Sequence, residues 1–347
     1  MLLNSVNWGR QIICLWCILS QDFLIQKLDW LNKVTFPNEA KCEDPGYARA
    51  LYTRLVKRLL RNGTTTVQYF ATIHLEASQI LADICDTVGQ RAYVGKLNAD
   101  QLSPEYYIET TLSSLSDTEK FIQYCHRQFP STHNRSAIVH PVITPRFIPT
   151  CSYTLLQGLG RLAEKYDCHV QSHAAETVDQ VTLVLQQYPE LERDVAIFSS
   201  VGLLRPNKTV FAHGVHLHDS EVTTLAQQKI GIAACPFANI LYSRGVVPVK
   251  RYMQMGLRVG LGTDIGGGPA AGMLSAIRTA VLADRTIDFC PIERGEDVHH
   301  WPENRERTWD VDFVYGYHLA TVVPVLYKLR LGWFLSSAWF RRGYWKA

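Results

Sequence analysis

Two apolar runs in this chain end on a histidine, Val170-Gln-Ser-His173 and Val210-Phe-Ala-His213. A third, Val259-Gly-Leu-Gly-Thr-Asp264, ends on an acid and passes into three glycines. If each run is a buried strand, its last polar residue stands at the strand's C-terminal end. An acid there is costly to desolvate unless it meets a proton, a cation or a metal. Neutral imidazole and carboxylate are the ligand types that suit zinc or iron. Glu176 follows His173 just past the strand, within reach of a metal-bound water without being a ligand, as a general acid/base must be. Arg146-Phe147 closes a further run. Its guanidinium offers donors for an oxygen and its ring a stacking face, a pairing that suits a flat, carbonyl-bearing heterocycle. Each residue also has a plainer reading: a satisfied core histidine, an Asp capping the helix that follows, a surface ion pair beside a core Phe. Three strand ends in the right order weigh against three separate accidents.

The elements that must position these residues alternate along the chain. Residues 20–62 have helical spacing, with Pro37 closing a first segment and Asn62-Gly63 ending the second. β-Branched and aromatic runs at 64–70, 91–97, 140–147, 168–173, 209–213, 231–236 and 259–264 predict seven strands. Helical patterns separate them, among them 76–88, 116–129 (opened by Ser116 in capping-box spacing), 152–166, 176–187, 219–229 and 273–282. This alternation predicts an α/β fold with a parallel sheet, and polar residues at successive strand ends favour a barrel. His216 and His218 fall beyond the strand, and His218 and Asp219 read as helix-capping candidates. His299, His300 and His318 have no strand context. Residues 286–310 read as a loop.

At 347 residues, with 47% hydrophobic and 19% charged residues, the chain has an ordinary globular composition. Its net charge of +3 is too small and too scattered to argue for nucleic acid or an anionic membrane surface. Nine cysteines lack a disulfide-framework spacing, and Cys14 and Cys17 have no second pair to complete a zinc site. They read as small apolar fillers in a reducing compartment, which makes the cytoplasm the expected location. The apolar run at 11–19 is too short to span a bilayer and reads as a buried helix or strand. The tail beyond Thr321 is aromatic and basic with no regular period, and as a surface it would be sticky.

Seven stretches, in order, carry a likeness: Asn62-Gly-Thr-Thr-Thr66, Tyr69-Phe-Ala-Thr-Ile-His74, Pro145-Arg-Phe147, Gln171-Ser-His-Ala-Ala-Glu176, Ala212-His-Gly214, Cys235-Pro-Phe-Ala-Asn239 and Gly262-Thr-Asp264. Together they resemble the guanine deaminase family of metal-dependent amidohydrolases. The resemblance implies a (β/α)8 TIM-type barrel, one zinc ion per chain, a homodimer, and hydrolysis of guanine to xanthine and ammonia. It matches His173 and His213 to zinc ligands and Asp264 to the metal-site acid that activates water. Glu176 matches the proton shuttle, and Arg146 with Phe147 the purine-binding pair. It also implies a first-strand H-x-H ligand pair followed by a substrate-binding glutamine, whereas no histidine precedes His74 here, and Ala234 and Ala238 replace a His and a Ser. The expected organisation is therefore an unmatched segment at 1–27, a barrel at 28–321 without its first strand and small β domain, and an unmatched tail at 322–347. Alternative readings are an inactive interaction or dimerisation module, and an aminohydrolase for another aminopurine or a triazine.

Overall fold

The structure, a computed structural model, describes residues 27–289 apart from 132–135, 192 and 244. The expectations for 11–19, the Cys14–Cys17 pair, residues 290–310, the late histidines and the tail lie outside the described residues. Short helical turns open the described chain, with α1 at Lys27–Trp30 and α2 at Phe36–Ala40, followed by α3 at Pro45–Arg61. Pro37 sits in the first turn of α2 rather than ending a helix. Its missing N–H costs nothing at that position. Asp44 caps α3, accepting from the backbone N–H groups of Gly46 and Tyr47.

The alternation then runs β1 (Thr66–Phe70), α4 (Leu75–Val88), β2 (Arg91–Gly95), β3 (Leu97–Asn98), α5 (Thr111–Gln128), β4 (Val139–Pro145), α6 (Tyr153–Lys165), β5 (His169–Ala174), α7 (Val178–Gln187) and α8 (Asp194–Ser200). It continues with β6 (Thr209–His213), α9 (Asp219–Gln227), β7 (Gly231–Ala234), α10 (Pro236–Tyr242), α11 (Val249–Gln254), β8 (Arg258–Leu261) and α12 (Met273–Phe289). The sheet order is β1-β2-β4-β5-β6-β7-β8, with β3 paired to β4, and every pairing is parallel. The expected strand at 91–97 is broken at Lys96, whose fully buried ammonium turns away to an ion pair with Glu109.

Among the described residues β1 and β8 are the two ends of the path and do not pair with each other. The sheet is therefore a half-barrel, the TIM-type α/β architecture in open form. It is nonetheless curled. Gln171 on β5 donates from Nε2 to the Tyr69 carbonyl at 2.7 Å on β1 and to Thr144 Oγ1 at 3.0 Å on β4. Gly95 leaves room for that bridge, because a Cβ there would stand 1.8 Å from Thr144 Oγ1 and 2.6 Å from Gln171 Nε2.

Two large apolar clusters hold the helices to the sheet. One gathers β4–β7 with α6 and α9 around residues such as Leu159, Val170, Phe211 and Ile232, and the other packs α3–α5 on β1 and β2. A small third cluster of Leu31, Phe36, Ile73, Leu97, Tyr107 and Phe147 sits under the strand ends.

Several boundaries differ from the sequence reading. Helix α5 begins at Thr111, not Ser116, because Thr110 and Ser113 form a reciprocal capping box. The hydroxyl of Ser113 does the work usually given to Glu or Gln, so the pattern is easily passed over. Helix α12 runs to Phe289, into the stretch expected to be a loop. The short helices α8, α10 and α11 were not anticipated, being too brief for a periodic signal. His218 caps α9, with Glu221 completing the box, as its position suggested.

Candidate active site

The C-terminal ends of β5, β6 and β8 bring four of the candidate residues together. His173 and His213 stack with ring centroids 5.4 Å apart, a consequence of the parallel register that sets His173 opposite Ala212 and Ala174 opposite His213. Glu176 follows β5 and reaches back, with Oε2 3.5 Å from His213 Nε2. Asp264 lies beyond β8, half-buried beside the same group, where it interacts electrostatically with His213 and Glu176. The backbone is held in the left-handed region at Ala175 (φ 45°), His213 (φ 72°) and Asp264 (φ 50°). Such angles cost about 1–3 kcal/mol each in non-glycine residues and persist where the surroundings over-determine them.

Each imidazole has its Nδ1 anchored. His173 Nδ1 is 2.6 Å from the Arg146 carbonyl, and His213 Nδ1 is 2.9 Å from Asn239 Oδ1. An oxygen acceptor at Nδ1 places the proton there and leaves Nε2 as the free lone pair, the arrangement metal-ligating histidines adopt. Burial drives His173 well below the usual imidazole range, and the positive charge of Lys27 adds to it, so this ring is neutral. Burial favours the neutral form of Glu176, but the His213 imidazole and the Lys27 ammonium more than offset it and hold the carboxylate at about 2. Burial raises Asp264 above the ordinary carboxylate range, with the Glu176 charge adding to the rise.

Arg146 is buried and committed. Its two terminal nitrogens donate to Glu39 at 2.7 and 3.0 Å, and the Tyr107 hydroxyl donates to the same carboxylate at 2.6 Å. Burial would lower the guanidinium pKa, but the Glu39 charge outweighs it and raises it. Phe147 lies in the small apolar cluster, and the Lys27 ammonium stands 4.2 Å from its ring centre. That ammonium also forms an ion pair with Glu176 and donates to Gln180 Oε1 at 2.8 Å.

Sequence reasoning missed Lys27, Glu39, Tyr107 and Asn239. The first three carry no local signal, since Glu39 is 107 positions from the arginine it binds and Lys27 is 153 positions from Gln180. Asn239 did stand in a stretch singled out above, five residues after a strand, where a helix begins and can turn its side chain back over the strand end.

As folded, these residues do not fit a bound zinc ion. A catalytic zinc takes three protein ligands and leaves a position for water. Among the described residues no group of three or more His, Cys, Asp and Glu side chains has the spacing to hold a metal. Two imidazole nitrogens are correctly presented, but an ammonium already meets the nearest carboxylate.

An open parallel sheet with two histidines, a glutamate and an aspartate at its C-terminal mouth belongs to a definite class of protein. The amidohydrolase family model matches residues 18–300, and the chain belongs to that family. Within it the likeness is to guanine deaminases. The probable guanine deaminase of Schizosaccharomyces pombe is 40% identical over 263 residues, covering 76% of this chain and 49% of the relative. The guanine deaminase of Homo sapiens is 41% identical over 262 residues, 75% of this chain and 56% of the relative. Among solved structures, guanine deaminase from C. acetobutylicum, with guanine bound in its active site, superposes with a TM-score of 0.71 at 35% identity, covering 77% of this chain and 62% of that one. The chain thus spans about half of the two curated relatives' length.

Proposed function

We propose that this chain carries a guanine deaminase site, built for hydrolysis of guanine with water to xanthine and ammonia, a reaction on a carbon–nitrogen bond of a cyclic amidine. The observation that carries the reading is the convergence of His173, His213 and Glu176 beside Arg146 and Phe147 at one strand-end mouth. In this reading Arg146 and Phe147 hold the purine once Glu39 releases the guanidinium and Lys27 uncovers the ring. Glu176, ionised and acceptor-only when free of Lys27, takes a proton from water and delivers it to the leaving amine. Asp264, whose carboxyl is raised by burial and by the Glu176 charge, is the second carboxylate at the mouth and the candidate water-activating base. His213 stands beside Glu176, with Nε2 3.5 Å from Glu176 Oε2. The family reading implies one zinc ion, with His173, His213 and Asp264 as the residues that match its ligands. Because the described residues do not fit that ion as folded, we assign no step to it and expect guanine turnover in this chain only at trace level.

Residues 28–321 form the barrel in this reading, flanked by 1–27 and 322–347. The assembly is a homodimer by resemblance, and the cytoplasm is its place, a reading supported by the six described cysteines being buried thiols outside any disulfide. No helix among the described residues is long and apolar enough to cross a membrane. A substrate panel tests the reading. Purified chain at high concentration is incubated with guanine, adenine, diaminopurine or an aminotriazine, and ammonia is measured. We expect slow release from guanine alone, abolished by Glu176→Gln. Faster release from another ring, or release indifferent to Glu176→Gln, would contradict it.

The non-catalytic reading draws on the position of Lys27, which covers the Phe147 face and neutralises Glu176. Its mark in the same panel would be no ammonia from any ring.

A further inference from the structure

Lys27 touches both the carboxylate and the aromatic face that the proposed function uses. Its side chain is only 10% exposed, and its ammonium is held by Glu176, by Gln180 Oε1 at 2.8 Å and by the Phe147 ring face at 4.2 Å. Its charge also reaches His173 and Asp264, disfavouring a proton on the first and favouring the ionised form of the second. A lysine usually snorkels its ammonium to water, so a buried one must be compensated on several sides at once. Here the compensation comes from the proton-transfer carboxylate and from the aromatic face that the purine reading needs free.

The geometry points to Lys27 as the resident cation of the site. It is a tethered plug that neutralises Glu176 and covers Phe147, so that a divalent metal or a flat base enters only as the ammonium leaves. A second cation beside the two imidazoles would meet like-charge repulsion while Lys27 stays, because the ammonium and its partner Glu176 are both largely shielded from solvent. The same lysine competes sterically for the ring face. Metal binding and Lys27 burial are therefore mutually exclusive states of one pocket, linked by a coupling free energy that each must feel from the other. The proposal rests on the reading above for the identity of the metal and not on guanine turnover.

The test uses the full chain and zinc chloride. An amine-reactive acetylating reagent is applied with and without zinc, and each lysine's labelling rate is followed by peptide mass spectrometry. Zinc affinity is measured by equilibrium dialysis for the wild type, Lys27→Met and Glu176→Gln. We expect Lys27 to label slowly in the metal-free chain, at least about tenfold slower than the exposed Lys120 and Lys165, and to speed up on zinc binding. Lys27→Met should bind zinc at least about tenfold more tightly than the wild type. Glu176→Gln, which removes the anchor, should raise Lys27 labelling without metal, so the proposal remains testable if the methionine variant does not fold. Labelling of metal-free Lys27 as fast as of exposed lysines would overturn the proposal. So would zinc bound with Lys27 still protected, or no gain in affinity in a folded Lys27→Met. The guanine panel and these readouts fail separately: ammonia can be absent while zinc and Lys27 still exclude each other.

Discussion

At the residue scale, the site depends on what stands behind each side chain. Asn239 stands with its Oδ1 2.9 Å from His213 Nδ1 inside a buried pocket, placed to accept from the ring's proton-bearing nitrogen. Replacing it by leucine removes that acceptor and leaves the imidazole N–H unpaired, at a cost of about 1–3 kcal/mol. Urea unfolding should register the loss, and the ring-nitrogen shifts of His213 should move toward a mixture of tautomers; unchanged shifts would show that the contact does not set the proton. Asp194 makes a different prediction. Burial, with Glu221 adding to it, pushes its carboxyl up to about 7. A folded pKa above the unfolded value of about 3.9 means that the folded state holds the proton more tightly, so stability falls as pH rises between those two values. Asp194→Asn should flatten that decline in a series of unfolding midpoints from pH 4 to 8, and an equally steep slope in the variant would assign it elsewhere. His173, His213 and Asp264 were legible in the sequence because each ends an apolar run. Lys27 and Glu39 were not, since a long-range ion pair leaves no local pattern around either partner.

At the element scale, most of the alternation could be read because helices and strands of this length repeat their apolar residues at different periods. Boundaries were read less well where side chains other than the usual ones do the capping, as at Thr110–Ser113, or where a buried charge breaks a strand, as at Lys96. The curl of the sheet was not legible at all. It depends on Gln171 crossing the interior to Tyr69 and Thr144, and on the absence of a side chain at Gly95. Gly95→Ala should therefore be among the most damaging small substitutions in the sheet. With an added carbon 1.8 Å from Thr144 Oγ1, either the glutamine bridge or the β2–β4 pairing must give way. We expect a loss of about 3 kcal/mol in chemical denaturation. A loss below about 0.5 kcal/mol, typical of an inert surface change, would mean that the interior is looser than the bridge implies.

At the scale of the whole molecule, the described sheet runs from β1 to β8 without closing. Edge strands have one side of their backbone unpaired, and β8 is partly exposed along its length where β5 is largely buried. Hydrogen exchange on the full chain should show the amides of 66–70 and 258–261 exchanging faster than those of 169–174 and 209–213. Full protection of both edges would mean that another part of the chain or a partner covers them. The same openness bears on chemistry, because a site built on strand ends is only as exact as the sheet beneath it, and an error of about 1 Å can cost ~100-fold in rate. The central proposal is that His173, His213, Asp264 and Glu176 form a guanine-directed site that this chain, as folded, cannot run at full speed. The most direct test is the steady-state rate of guanine conversion to xanthine by the purified chain in graded zinc, with His173→Ala beside it. The account predicts a rate far below the roughly 1–1000 per second usual for enzymes, falling to background in His173→Ala. A wild-type rate within that range, abolished by His173→Ala, would contradict it and show the strand-end groups sufficient as they stand.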